Sequence, residues 1–172
     1  MTDFRLEGEI RVPAEALRAL SAAARRHGEP VATAVRDAGR AAGEEFLRRI
    51  SSEVPLADLD MADFWSAVNA ETGARGLGTY EWQSMLGGYA ELLVEHSVDS
   101  PGTGEPDASA PFTEGLIEGL LGAAVQEPVA VVQAPPDGSR ALRYVVGSPS
   151  VLRHIRLRLA SGSSLEKALE GI

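Results

Sequence analysis

His27, His96 and His154 are the only histidines of this chain, and it has no cysteine. A protein metal site needs several imidazole, thiolate or carboxylate donors at a defined spacing. These three histidines are scattered, with no HxxH or HExxH pattern, so no metal and no cofactor is expected. His27 ends a helical segment, where a cation suits the negative end of the helix dipole. His96 falls on the apolar alternation of a strand segment, which suits a core or interface histidine. No thiol nucleophile exists, and no G-x-S-x-G elbow is present for a serine triad. Carboxylates remain. Glu91 and Glu95 share one strand face, as an acid/base pair would and as the wet face of a half-buried sheet would. Asp58, Asp60 and Asp63 fit the acidic first turn of a helix. GARGLG (73–78) has the glycines of a phosphate loop, but it stands between a helix and a strand and not before the helix N-terminus that would hold the anion. No catalytic residue is assigned, and a non-enzyme is expected.

The chain is 172 residues long and 44% hydrophobic, enough for one domain with a sizeable core. Its start, MTDFRLEGEIRVP, lacks an apolar signal core, and no run approaches a membrane span. A soluble cytoplasmic protein is expected. The net charge of -9 is unevenly spread. Residues 1–50 contribute +1, residues 51–139 contribute -14 with Arg75 as their only cation, and residues 140–172 contribute +4. An acidic middle repels phosphate backbones, so nucleic acid is not an expected partner. Arg153, Arg156, Arg158 and Lys167 form a basic end that could dock a protein partner or face solvent.

Residues 4–12 alternate as a strand does, and Pro13 opens a helix that stops at His27-Gly28. Pro30 begins a second helix, with Val31, Val35, Ala38 and Ala42 on one stripe and Gly39, Gly43, Phe46 and Ile50 on another. So wide an apolar arc touches more than one neighbour. A third helix is expected over 57–73, then a hairpin of strands 76–86 and 88–98 turning at Gly87-Gly88. Residues 100–111 read as a loop. PFTEGLIEGLLGAAV is a helix with glycines at 115, 119 and 122, and VAVVQ and RALRYVV form a second hairpin across a Pro-Asp-Gly turn. Two helical pieces follow Pro149. Glycine costs a helix about 1 kcal/mol relative to alanine, so the repeated glycines imply a groove filled by a close backbone or by a ligand. The order of elements gives an α+β fold, an antiparallel sheet of about four strands with helices on one face.

In order and spacing, AVRDAGRAAGEEFLRRI, FWSAVNAETGARGLGTYEW, PFTEGLIEGLLGAAVQEPVAVV and RALRYVV resemble segments of the 4-vinyl reductase type, or hydrocarbon-binding, domain. The resemblance spans roughly residues 10–147. It implies a ligand-binding domain over 1–147 with a helical extension over 148–172, a fold similar to tethering subunits of the TRAPP complex, and a homodimer. It also implies binding or sensing of an apolar, aromatic or lipid-like small molecule. The alternatives are a dimeric scaffold without ligand and an accessory to reduction of a tetrapyrrole vinyl group. Metal-bearing members have cysteines where this chain has about Ala110, Ala134 and Leu142, and a glutamate near Val131; metal-dependent sensing is not carried over. The segments that the family places around its cavity hold five of the nine aromatic residues. The expected pocket is lined by Phe64, Trp65, Val68, Tyr80, Trp82, Phe112, Leu116 and Leu120, with Gly119 leaving room and Glu81, Gln83 or Glu114 as polar groups.

Overall fold

A computed structural model describes residues 12–98, 100, 110–135 and 141–172. Almost all of the expected first strand, most of the 100–111 loop and the Pro-Asp-Gly turn lie outside the described residues. The elements are α1 (Ala14–His27), α2 (Glu29–Glu53), a 3-10 turn (Leu56–Asp58), α3 (Met61–Gly73), β1 (Thr79–Leu86), β2 (Tyr89–Glu95), α4 (Pro111–Val125), β3 (Ala130–Gln133), β4 (Leu142–Gly147), α5 (Pro149–Ala160) and α6 (Leu165–Leu169). Local signals set most boundaries. Pro13 precedes α1, Gly28 separates it from α2 at φ 77, and Gly87 and Gly88, at φ 53 and 85, make the β1–β2 turn.

Several boundaries differ from the sequence reading, among them the start of β1 at Thr79 and not 76. Helix α3 begins at Met61, not 57, because the Asp60 carboxylate accepts the Asp63 N–H at 2.8 Å and so caps the helix there. Strand β2 stops at Glu95. His96 then adopts a left-handed conformation, φ 55, and is exposed, so it is not the core histidine that alternation suggested.

The sheet is antiparallel throughout, in the order β1-β2-β4-β3. Alternation gives it two apolar faces. Tyr80, Leu92, Val94, Val131, Tyr144 and Val146 point into the main core with residues of α2, α3 and α4. Tyr89, Val132 and Val145 point the other way, into a second cluster with Leu152 and Ile155 of α5 and Leu165 and Ala168 of α6. Helices therefore cover both faces, and the one-face expectation is corrected. The basic end is part of that second layer: Arg158 donates to the carbonyls of Ala168 and Glu170 at 3.2 and 2.6 Å and caps the end of α6.

Two contacts fix the start of α4 on the sheet side. The Ala110 N–H donates to Gln133 Oε1 at 3.0 Å, and the buried hydroxyls of Ser97 and Thr113 share a hydrogen bond of 2.8 Å.

Candidate functional site

The glycine groove is filled by backbone. A Cβ placed on Gly115 or Gly119 of α4 would lie closer than 3.0 Å to the main-chain carbonyls of Arg36 and Arg40 on α2. A Cβ on Gly39 or Gly43 of α2 would meet the carbonyls of Phe112 and Leu116 just as closely. Each helix thus presents two glycines, four residues apart, to the other. Gly119 is spent on this crossing, and the arc of α2 that suggested a close neighbour has found it in α4. Gly122, one turn on, has nothing nearer than 3.5 Å and takes no part.

Side chains from the same turns lock the crossing. Arg36 grips Glu118 as a fork, Nε to Oε2 at 3.0 Å and Nη2 to Oε1 at 2.6 Å, while its Nη1 meets Glu114 at 2.8 Å. Arg40 adds a bond of 2.9 Å to Glu118. Burial pushes the Glu118 carboxyl up, but the Arg36 hydrogen bonds and charge, with Arg40 and the Val131 N–H, hold it below the usual carboxylate range. Burial likewise works against the Arg36 guanidinium, and Glu118 and Glu114 raise it on balance. The lock also reaches the sheet. The Val131 N–H donates to Glu118 Oε1 at 3.2 Å, and its carbonyl accepts from Arg36 at 3.1 Å and from Arg156 of α5 at 3.3 Å. Carboxylate and guanidinium take the place of a neighbouring strand and close the β3 edge. Glu114, one of the expected polar pocket groups, belongs to this lock. A cleft of about 300 Å³ beside it is lined by both apolar and charged residues, among them Ala24, Ala32, Pro111, Glu29, Arg36 and Glu114, and none of the aromatic residues lines it.

The expected lining residues other than Gly119 do meet. Trp65, Val68, Tyr80, Phe112, Leu116 and Leu120 are buried in one apolar cluster, and Phe64 and Trp82 pack half-buried against it. The Asp60 cap sets the phase of α3 so that Trp65, Val68 and Thr72 face inward. Alternation on β1 brings Tyr80 and Trp82 to the same side. The Trp65 and Trp82 rings lie 5.7 Å apart at 32°, and Phe64 meets Trp65 edge-on at 5.3 Å. Glu81 and Gln83 are exposed, and Glu81 points to the opposite sheet face by alternation.

The polar group at this cluster is one the sequence reading passed over. Trp65 is only 7% exposed, and its indole N–H has no hydrogen-bond partner among the described residues. A buried donor without an acceptor costs about 1–3 kcal/mol. Asn69, one turn later on α3, was also missed. Its Nδ2 donates to the Tyr80 carbonyl at 2.9 Å and its Oδ1 accepts the Tyr80 N–H at 2.7 Å. An asparagine inside a helix, where it is a poor former, was the available signal.

No family model matches the chain, and no curated protein matches it in sequence. Solved structures share its fold. The phenol-responsive sensory domain of the transcription activator PoxR, solved with phenol, superposes with a TM-score of 0.69 at 13% identity, over 88% of this chain and 82% of that one. A trafficking protein particle complex subunit 3 from Naegleria fowleri, covalently bound to palmitic acid, superposes with a TM-score of 0.56 at 11% identity, over 78% of this chain and 91% of that one. The α+β architecture expected from the sequence is therefore a fold that these two structures share.

Proposed function

We propose that this chain is a non-enzymatic small-molecule sensing domain of the 4-vinyl reductase type. Its ligand is an apolar or aromatic molecule with one hydrogen-bond acceptor, bound between α3, β1 and α4. The observation that carries the reading is Trp65: a buried indole N–H with no acceptor among the described residues, at the edge of an aromatic pair, is what a ligand oxygen would satisfy. Apolar walls with very few polar groups are the usual composition of such sites. The fold shared with a phenol-responsive domain and with a palmitate-bearing subunit supports the class of ligand. The glycine groove itself is not the ligand site on this reading, since the α2–α4 crossing is filled by backbone.

The working unit is proposed to be a homodimer in the cytoplasm. Native mass spectrometry of gently purified protein reads subunit number and any retained ligand together. A dimer carrying a small apolar molecule is expected. A bare monomer that also shows no saturable tryptophan response to phenol or palmitate would overturn the reading.

A further inference from the structure

A side-chain amide ties α3 to β1 across their apolar contact. In the β1–β2 register Tyr80 pairs with Val94, yet both the N–H and the carbonyl of Tyr80 turn away to Asn69. Asn69 thus stands in for a neighbouring strand along that edge. It lies four residues after Trp65, so the same helical face that carries the indole also carries the amide. Releasing the amide would cost two hydrogen bonds and would part Trp65 from Trp82 without touching the α2–α4 lock.

We propose that Asn69 is the gate latch of the aromatic site: ligands enter by parting α3 from β1 at the Asn69–Tyr80 pair, and the pair sets the Trp65–Trp82 gap when it closes. This rests on the binding reading given above. Asn69 is a positioning residue, with no contact to ligand required.

The Trp65 indole N–H tests the latch without any ligand. Since it has no acceptor among the described residues, burial alone protects it, and its exchange with solvent measures opening of the seam. Asn69→Ala should speed that exchange by roughly tenfold or more, as expected for two lost hydrogen bonds. Asn69→Asp supplies a second variant with a pH signature. A protonated carboxyl donates and accepts as the amide does, so exchange relative to wild type should be near normal in acid and fast at neutral pH. Stopped-flow binding of phenol then separates gate from wall. Both association and dissociation should accelerate in Asn69→Ala, and dissociation more so, because the closed Trp65–Trp82 gap is no longer set by the pair. Unchanged indole exchange in both variants, or phenol rates equal to wild type, would overturn the latch alone. A wild-type protein with no saturable response to phenol would overturn the binding reading and the gate with it.

Discussion

The α2–α4 seam and the α3–β1 seam are closed by opposite means. The first brings two backbones into contact through four glycines and bolts them with Arg36, Arg40 and Glu118. It has no soft element, because backbone cannot change rotamer and every buried charge there is paired. The second is an aromatic contact between Trp65 and Trp82, the Asn69 amide on Tyr80 and an indole donor with no partner among the described residues. Aromatic rings slide and side-chain amides reorient at modest cost, so on the proposed reading this is the seam that would admit a guest. A protein that senses a small molecule needs both, a frame that holds and a joint that yields.

Breaking the frame should have the largest effect. Gly119→Ala or Gly115→Ala forces a methyl into a main-chain carbonyl, which only separation of the helices relieves. Overpacking usually costs about 1–3 kcal/mol, and this case is expected at or beyond the top of that range. Chemical denaturation should show a collapse in midpoint or an unfolded protein. Glu118→Gln comes next. It leaves Arg36 half-buried with its main partner weakened, and breaking such a pair costs on the order of 3 kcal/mol. The pH dependence follows from the depressed carboxyl. Glu118 contributes stability above the ordinary carboxylate pKa, and that stability is lost as pH falls through the lower folded value. Wild type should therefore weaken below about pH 4, and Glu118→Gln should flatten that limb in urea titrations at stepped pH. Glu45 is also depressed, by hydrogen bonds from Arg48 and Arg49, but so exposed a group adds little.

At the yielding seam the expected stability effect is small. Trp65→Phe removes ring area but also the unpaired N–H, and the two should offset to within about 1 kcal/mol. Thermal unfolding checks this, and a large loss would mean that the indole has a structural acceptor. Gly122→Ala should have the smallest effect and the opposite sign. The position is open enough for a methyl, so the variant should gain up to about 1 kcal/mol of helix propensity. Equal damage from Gly122→Ala and Gly119→Ala would erase the distinction between the frame and its surroundings.

The element order was legible in the sequence because proline, glycine and alternation punctuate it locally. Pro13, Gly28 and Gly87-Gly88 each act within a few residues of themselves. The glycine faces were legible as a groove but not as to what fills it, since Gly119 meets Arg40 across 79 positions of sequence and only packing reveals that. Glu118 was a readable signal, an acid amid GLIEGLLG, where a buried carboxylate demands a cation. Which cation was not readable. His96 misled because alternation continues past the point where the backbone turns left-handed. The aromatic residues expected at the site, Trp65 among them, cluster in the core, whereas the unpartnered state of the Trp65 N–H among the described residues and the Asn69–Tyr80 pair emerged only when α3 was set against β1.

The binding claim is tested most directly by the Trp65 indole N–H signal in a ¹H–¹⁵N spectrum during titration with phenol. Trp65 and Trp82 are the only tryptophans, so Trp65→Phe assigns the signal at once. Wild type should show a saturable downfield shift of that resonance and slowed exchange as the donor gains its acceptor. A signal that stays in place at millimolar phenol, while the fold is intact, would contradict the account.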